Sequence, residues 1–235
     1  MYNFQNLINC DKCNNVGWIF YKDEKGELHC KYCTCWPQRK IMYKLDKIGL
    51  GKYLNKTLND FKTTYNWQVQ MKNIANRFIN EGFENGNWML LCGQYGSGKS
   101  LLASITIKEI LSKYEEVVPL SFTWASFVEQ LKMAFSSGDR DKIAQLNFHI
   151  EDMKEVDILY LDEVFKVESQ STLNLLFDII NYRYLTNKAT IITSEKNFEE
   201  IKKVNQAIAS RFFEKIKDGY LIDIQQDESK NQRLK

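Results

Sequence analysis

The stretch of sequence that most restricts how this chain can fold is the loop Gly93-Gln94-Tyr95-Gly96-Ser97-Gly98-Lys99-Ser100. It matches the phosphate-binding loop pattern G-x-x-x-x-G-K-[ST] at every fixed position. A short apolar run at residues 88–92 precedes the loop, and apolar residues at helical spacing follow it over residues 101–114. The pattern requires a buried strand before the glycines and a helix after them, so the sequence predicts both.

The loop also predicts a nucleotide site. Its glycines let consecutive backbone N–H groups point at an anion, and the positive end of the following helix faces the same place. Lys99 is expected to reach the β- and γ-phosphates, and the Ser100 hydroxyl to take one position on Mg²⁺. The guanine-reading Asn-Lys-x-Asp pattern is missing at residues 187–190, so the expected nucleotide is ATP. The predicted cofactor-binding residues are Gly93, Gln94, Tyr95, Gly96, Ser97, Gly98, Lys99, Ser100, Leu101 and Ser194.

Composition indicates the class of protein. The chain has 235 residues, of which 44% are hydrophobic and 26% charged, as in an ordinary globular protein. Its net charge of +2 does not by itself indicate nucleic-acid binding. No apolar run approaches the ~20 residues of a membrane helix, and residues 1–6 lack the features of a signal peptide. The expected location is the cytoplasm, where the six cysteines indicate metal ligands or free thiols.

Five of those cysteines lie close together near the N-terminus: Cys10, Cys13, Cys30, Cys33 and Cys35. Two Cys-x-x-Cys pairs separated by sixteen residues fit a four-cysteine zinc site, and Cys33-x-Cys35 offers a second way to complete it. So small a segment has little core of its own, which favours bound zinc over free thiols. Four protein ligands leave no open position, so the metal is expected to be structural.

The geometry of a hairpin favours one ligand set. Residues 16–21 are β-prone, residues 23–26 form a turn, and the chain returns from Glu27, which predicts that Lys22 faces Glu27 and Ile19 faces Cys30. In that register Cys30 lies about 20 Å along the ribbon from Cys13, whereas the last two cysteines return beside it. A register error or a bulge would reverse the choice. The predicted zinc ligands are Cys10, Cys13, Cys33 and Cys35, with Cys30 as the alternative.

A basic stretch follows the cysteines. Residues 37–50 have a helical pattern with Arg39, Lys40, Lys44 and Lys47 on one side, and two interpretations stay open: a nucleic-acid or partner contact, or a solvated linker helix. The segment Gly49-Leu50-Gly51 then breaks the helix. We predict a zinc-binding module with its linker helix at residues 1–50 and a nucleotide-binding core at residues 51–235.

An acidic motif is expected to complete the nucleotide site. The mostly apolar residues 156–161 lead into Asp162 and Glu163. Asp162 is expected to hold Mg²⁺ together with Ser100, and Glu163 to polarise an attacking water as a general base. Lys99, Asp162 and Glu163 are therefore predicted catalytic residues.

The remaining pattern predicts an α/β fold in which helices flank a five-stranded parallel sheet. Further strands are expected at residues 117–123, 189–194 and 220–224, and helices at residues 67–83, 126–135, 140–155, 171–185 and 205–216. Ligands of open parallel sheets bind at the carboxyl ends of the strands, so Thr193 and Ser194 are expected near the γ-phosphate. The polar residues 225–235 are expected to be loose.

Together these features resemble the DnaC/DnaI-type helicase loaders of the AAA+ ATPases, bacterial or phage. The resemblance covers nearly the whole chain. It rests on Cys-x-x-Cys-Asn-Asn-x-Gly-Trp-Ile at residues 10–19, Thr-Leu-Asn-Asp-Phe at 57–61, the phosphate loop, Leu-Tyr-Leu-Asp-Glu at 159–163, Ile-Thr-Ser at 192–194 and Ala-Ser-Arg at 209–211. It implies an AAA+ core with a truncated lid and an N-terminal module that grips the replicative hexameric helicase. It also implies that the core handles single-stranded DNA, and that Arg211 is a catalytic arginine finger acting on a neighbouring subunit.

The expected function is an ATP-dependent loader that delivers the helicase onto single-stranded DNA during replication initiation. One alternative is a transposition-helper ATPase of the same clade, against which the cysteines argue. Another is a non-hydrolysing ATP-bound adaptor, because Glu195 stands where the family usually has Asn and a carboxylate is repelled by a triphosphate. Small-molecule phosphotransfer would leave Arg211 and the cysteines without a role.

Candidate DNA contacts lie in the helical segment after the second core strand. Lys132, Arg140 and Lys142 could pair with phosphates, and Phe127 and Phe135 could stack on bases. The alternative for each residue is ordinary core packing or a solvated charged face.

Overall fold

The computed structural model describes residues 8–216 and 219–234, and its centre is a parallel sheet with helices on both faces. The expected absence of a signal peptide concerns residues that lie outside this range. The strands are β1 (Trp18–Lys22), β2 (Leu28–Tyr32), β3 (Trp88–Gly93), β4 (Pro119–Thr123), β5 (Ile158–Asp162), β6 (Ala189–Thr193) and β7 (Leu221–Ile224). The helices are α1 (Trp36–Lys47), α2 (Asn66–Arg77), α3 (Lys99–Lys113), α4 (Trp124–Ser137), α5 (Arg140–Glu155), α6 (Gln170–Leu185), α7 (Phe198–Val204) and α8 (Gln206–Ile216).

The core sheet has the strand order β4-β5-β6-β3-β7, and every neighbouring pair is parallel. This confirms the predicted fold class. Two strands begin two residues later than expected, β4 at Pro119 and β5 at Ile158, and the short helix α7 was not predicted. Within the described residues no helix is long and apolar enough to cross a membrane.

Alternation along β3 divides the core into two layers. Met89 and Leu91 pack with α1, α2 and α3 on one face, whereas Trp88 and Leu90 pack with α4, α5, α6 and α8 on the other. Successive side chains of a strand point to opposite faces, so a strand covered on both sides must be apolar throughout. All six residues of β3 are buried accordingly.

The N-terminal hairpin differs by one residue from the predicted register. Lys22 pairs with Leu28, and Cys30 pairs with Phe20 rather than with Ile19. Asp23 and Glu27 close the turn through a backbone hydrogen bond of 3.0 Å. The loop between them therefore has three residues and ends in Gly26 at φ +82°, the left-handed position that a three-residue hairpin loop requires.

Helix α1 packs against the core and is not a solvated linker. Leu45 is fully buried in the layer that contains Met89. On the basic side, Lys40 pairs with Glu115 and Glu116 at 3.3 and 3.4 Å, and Lys44 donates to the carbonyl of Val117 at 2.9 Å. Both lysines therefore make contacts within the chain. The division into modules at residue 50 stays a prediction.

The segment before the phosphate loop has two parts. The helix predicted for residues 67–83 is α-helical only to Arg77 and continues as a π-helical turn, Phe78–Gly82. A side chain at Gly82 would meet Phe78 at 2.7 Å and Tyr220 at 2.9 Å, so glycine allows this turn to lie against the residue that leads into β7.

The polar stretch after β7 is ordered, contrary to expectation. We call residues 225–234 the strap. A 3₁₀ turn spans Glu228–Lys230, and Asn231 is only 4% exposed. The Gln232 N–H donates to the Gly96 carbonyl at 2.9 Å, which ties the strap to the phosphate loop. Polar composition predicted a loose segment because it does not reveal backbone bonds to a distant loop.

Candidate nucleotide and metal sites

The nucleotide site lies where three adjacent strands end. Gly93 closes β3, Asp162 closes β5 and Thr193 closes β6, and β6 lies between the other two. Parallel strands present their carboxyl ends at one edge, so the phosphate loop and both polar side chains meet there.

The phosphate loop needs its glycines. Gly93, Gly96 and Gly98 have φ angles of +88°, +69° and +93°, in the left-handed region that side chains with a Cβ rarely adopt. At Gly93 a Cβ would also lie 1.9 Å from the Ile224 carbonyl oxygen. The backbone geometry that turns N–H groups toward an anion therefore depends on these three positions.

Lys99 is held inside the loop. Its Nζ donates to the carbonyls of Gly93 at 2.7 Å and Gln94 at 2.6 Å. Burial lowers the pKa of Lys99. A bound phosphate would give the Lys99 side chain a charged hydrogen-bond partner in place of these two neutral carbonyls.

Ser100, Asp162 and Thr193 form a compact oxygen cluster. Ser100 Oγ donates to Asp162 Oδ1 at 2.9 Å, and Thr193 Oγ1 donates to the same oxygen. Neighbouring ligands of an octahedral magnesium ion, with bonds of about 2.1 Å, are about 3 Å apart. A hydroxyl and a carboxylate at this separation therefore fit the predicted magnesium site.

Glu163 has strained backbone directly after β5. Its φ angle is +57°, which is costly for a residue with a side chain, and its N–H donates to Thr193 Oγ1 at 3.0 Å. Its carboxylate forms an ion pair of 3.0 Å with Lys166, and this contact raises the pKa of Lys166. The strain turns Glu163 out of the strand direction at the edge where nucleotide is expected.

A cavity of about 280 Å³ joins these groups. It is lined by nine of the predicted site residues: Tyr95, Gly96, Gly98, Lys99, Ser100, Leu101, Asp162, Glu163 and Ser194. Three other predicted residues stabilise the shape of the phosphate loop and do not line the cavity. Gln94 accepts from the Asp227 N–H at 2.8 Å, Ser97 donates to the Gln94 carbonyl at 2.7 Å, and Gly93 provides the turn. Ser194 donates its hydroxyl to the Val164 carbonyl at 2.9 Å, so that proton is already used.

The same cavity is lined by Thr193, which was expected near the γ-phosphate, and by four residues that the sequence did not assign to binding: Tyr53, Glu195, Gln232 and Arg233. Thr193 and Glu195 lie at the carboxyl end of β6, where residues are expected to face a ligand. Tyr53 and the strap residues come from distant segments, and no local motif marks them.

Arg211 does not line this cavity in its own chain. Its guanidinium donates to Asn181 Oδ1 at 2.7 Å and to the Ala207 carbonyl at 3.0 Å. It also lies over the Phe177 ring, 4.5 Å from the centroid. The arginine is thus presented at the junction of α6 and α8, and it is absent from the residues that line the cavity.

The candidate DNA contacts separate into two groups. Phe127 is 1% exposed in the core and cannot stack on a base, which corrects that part of the expectation. Phe135 is 62% exposed at the end of α4, and Lys132 and Arg140 are exposed near it. Lys142 donates to Gln145 at 3.1 Å on its own helix.

The cysteine cluster contains the four predicted ligands and leaves Cys30 exposed. Sγ of Cys10 lies 3.6 Å from Sγ of Cys33, and Sγ of Cys13 lies 3.6 Å from Sγ of Cys35. The four sulfurs all lie within 4.8 Å of one another. A tetrahedral zinc ion with bonds of about 2.3 Å places its sulfurs about 3.8 Å apart, so the cluster fits zinc.

Neighbouring groups polarise this cluster. The Gly17 N–H donates to Cys13 Sγ at 3.3 Å, and Arg39 Nε donates to Cys35 Sγ at 3.2 Å. The Cys35 N–H lowers the pKa of Cys33 to about 6, whereas desolvation raises the pKa of Cys10 to about 11. A zinc ion would bind all four sulfurs as thiolates, and the spacing of the sulfurs supports such a metal site. Arg39, 8% exposed, also donates to the Ile8 carbonyl at 2.9 Å and so fastens α1 to the cluster.

The model of the IstB-like ATP binding protein family matches residues 30–226, most of the chain. The chain belongs to this family. Its match spans the phosphate loop, the acidic strand end and Arg211, so this member has the core of an ATP-binding protein.

Two curated relatives illustrate the similarity. The phage-like element PBSX protein XkdC of Bacillus subtilis is 31% identical over 236 residues, which cover 92% of this chain and 82% of the relative. The replicative helicase loader DnaC of Escherichia coli is 24% identical over 151 residues, which cover 64% of this chain and 59% of the relative.

Solved structures agree on the fold. The crystal structure of DnaI has a TM-score of 0.60 at 21% identity and covers 77% of this chain and 93% of its own. The crystal structure of the DnaC helicase loader has a TM-score of 0.54 at 23% identity and covers 74% of this chain and 97% of its own. At these identities the likeness supports an AAA+ type of fold for this family member.

Proposed function

We propose that this IstB-family protein is an ATP-dependent loader that binds the replicative DNA helicase and delivers it onto single-stranded DNA. The observation that carries the proposal is the Ser100–Asp162 contact of 2.9 Å, beside Lys99 and Glu163 on one cavity. A hydroxyl, a carboxylate, a buried amine and a second carboxylate at a phosphate loop suit a magnesium–nucleotide complex. The similarity to a relative named as a replicative helicase loader supports the choice of task.

In this proposal each residue has one role toward ATP. Lys99 leaves its two carbonyl partners and binds the terminal phosphates, and Ser100 and Asp162 hold the magnesium ion. Bound magnesium neutralises the charge that develops on the transferred phosphoryl group. Glu163 leaves Lys166 and orients the attacking water as a general base.

The zinc-fitting module is the proposed grip on the helicase. Trp18, Tyr32 and Trp36 form an aromatic stack with centroids 4.2 to 5.5 Å apart. Phe20 and Leu28 stand 64% and 69% exposed on the adjoining strands. A rigid patch of exposed apolar side chains is typical of a protein–protein contact. Helix α1 connects this patch with the core, because Leu45 packs in the core and Arg39 bonds to Cys35.

Single-stranded DNA is proposed to lie along the end of α4 and the start of α5. Phe135 offers an exposed ring, and Lys132 and Arg140 offer charges beside it. A structure of the replication initiator DnaA with a TM-score of 0.56 is described as bound to AMPPCP and single-stranded DNA, which supports a DNA-handling role for such a core.

Arg211 is proposed to act on nucleotide in a neighbouring subunit. Its absence from the lining of its own cavity and its position on α8, held by the bond to Asn181 of α6, suit a residue supplied to another copy of the chain. Self-assembly would then be needed for full ATPase activity.

One observation favours a second candidate, a non-hydrolysing adaptor. Glu195 lines the cavity where a triphosphate would meet it, and Glu163 is paired with Lys166. A repelled phosphate and an occupied base would both slow hydrolysis. In that case ATP would act as a structural ligand and the zinc-fitting module would bind the partner.

The test is capture of the purified host replicative helicase with ATP, with ADP and without nucleotide. The variants are Cys10→Ser and Cys13→Ser, with Cys30→Ser as the matched control because Cys30 is exposed and outside the cluster. We expect nucleotide-dependent capture that the two cluster variants lose and the control keeps. No capture in any nucleotide state would refute the loader and leave the transposition helper or an unrelated adaptor.

A further inference from the structure

The strap is built into the back of the phosphate loop. Gln94 Oε1 accepts the Asp227 N–H at 2.8 Å, and the Gly96 carbonyl accepts the Gln232 N–H at 2.9 Å. The Gln94 N–H in turn donates to the Ile224 carbonyl at 3.0 Å. Three hydrogen bonds thus connect two loop residues with β7 and the strap, so the shape of the loop and the position of the strap are coupled.

Asn231 makes the coupling tighter. Its carboxamide is buried beside Gly96, and a Cβ on that glycine would lie 2.0 Å from Asn231 Oδ1. The same oxygen accepts the Arg233 N–H at 3.0 Å. The space left by the missing side chain of Gly96 is therefore filled by Asn231, which also fixes the backbone of Arg233.

Because its backbone is fixed in this way, Arg233 lies at the nucleotide cavity. It lines the cavity together with Lys99, Ser100 and Glu163, and its side chain is exposed. Among residues 8–216 and 219–234 its guanidinium has no ion pair with a carboxylate. Its charge also adds to the burial that lowers the pKa of Lys99.

The side chains that line the cavity carry more negative than positive charge, which favours a cation such as Arg233. Asp162, Glu163 and Glu195 line it with three carboxylates, against Lys99 and Arg233. An incoming triphosphate adds further negative charge, and like charges at short distance oppose binding. A guanidinium is suited to phosphate oxygens because its donors form a planar fork.

We propose that the strap is part of the nucleotide site, and that Arg233 binds the phosphates of ATP held in the same subunit. This inference rests on the proposed binding of ATP. The strap then serves as a short substitute for a larger lid, because it supports the loop through Asn231 and adds a second cation through Arg233. Nucleotide binding and strap docking stabilise each other by linkage.

The first experiment is titration of fluorescent ATP and ADP analogues into protein shown to be monomeric by light scattering. Arg233→Ala should weaken ATP binding about tenfold, as expected for loss of a charged hydrogen bond, and Arg233→Lys should lose less. Lys203→Ala is the matched control, since Lys203 is an exposed cation that does not line the cavity. It should bind as the wild type does.

The second experiment follows trypsin cleavage after Lys230 and Arg233 by mass spectrometry. ATP should protect both bonds in the wild type, and Asn231→Ala should reduce that protection. Unchanged affinity in Arg233→Ala, with nucleotide-independent cleavage of the strap, would overturn this inference alone. Failure of the wild type to bind ATP would overturn the proposed function as well.

Discussion

Removal of a single buried sulfur should unfold the N-terminal module and leave the core folded. Cys13 is 5% exposed, and its sulfur lies 3.6 Å from that of Cys35. Cys13→Ser leaves three thiol ligands and breaks the tetrahedral set. Cys30→Ser makes the same chemical change on the exposed strand β2 and serves as the control.

The size of the effect follows from how little the module buries. Between residues 8 and 35, Ile8 is the one hydrophobic side chain other than cysteine that is below a tenth exposed. Full burial of such a side chain stabilises by about 1.5–3 kcal/mol. A structural zinc site contributes about 10–16 kcal/mol in small peptides at neutral pH. The metal, and not apolar burial, is therefore expected to keep the hairpin folded.

Three measurements check this prediction. Metal analysis should find about one zinc per chain in the wild type and in Cys30→Ser, and much less in Cys13→Ser. Near-UV circular dichroism should lose the signal of the Trp18–Tyr32–Trp36 stack, and trypsin should cut the hairpin lysines. The thermal transition of the core should persist. A metal-free wild type with an intact aromatic signal would refute the reasoning.

Three further predictions concern stability. Tyr114→Phe removes a buried hydroxyl that makes no hydrogen bond among the residues that the structure describes, so the free energy of unfolding without nucleotide should rise by about 1 kcal/mol in urea titrations; a decrease would contradict this. Arg183→Met should cost at least about 3 kcal/mol in the same assay, because the fully buried guanidinium donates to Thr190 and to four backbone carbonyls. The N–H and hydroxyl of Thr57 lower the pKa of Asp60 from 3.8. The stability contributed by Asp60 is therefore present above pH 3.8 and lost as the pH falls through the lowered pKa of the folded state. Asp60→Asn should make the acid side of the stability–pH curve less steep.

The phosphate loop and the acidic strand end could be read from sequence because each is a local pattern with a fixed geometry. Three glycines at set spacing need positive φ angles, and all three have them. An apolar strand that ends in Asp162 brings the carboxylate to the loop wherever the strand lies in a parallel sheet, since all carboxyl ends meet at one edge.

The register of the hairpin could not be predicted from the local sequence. Sequence marks a turn around Gly26 but does not say how many residues lie inside it, and the actual three-residue loop shifts the pairing by one. A shift of one residue moves the returning cysteines by only about 3.3 Å along the ribbon. Cys33 and Cys35 therefore still reach Cys10 and Cys13.

The strap and Arg39 could not be placed from sequence because their roles depend on distant partners. Gln232 bonds to a residue more than a hundred positions earlier, and Arg39 joins the cysteine cluster to α1. Each belongs to a polar stretch, and polarity alone predicts a solvated face. Only the folded chain shows these contacts.

Helicase loading on closed circular single-stranded DNA tests the central claim most directly. A ring-shaped hexamer cannot thread onto a closed circle by itself, so unwinding of an annealed oligonucleotide reports delivery. Unwinding by the host replicative helicase should require this protein and ATP, and Lys99→Ala should abolish it. Equal unwinding without the protein, or full activity of Lys99→Ala, would contradict the account.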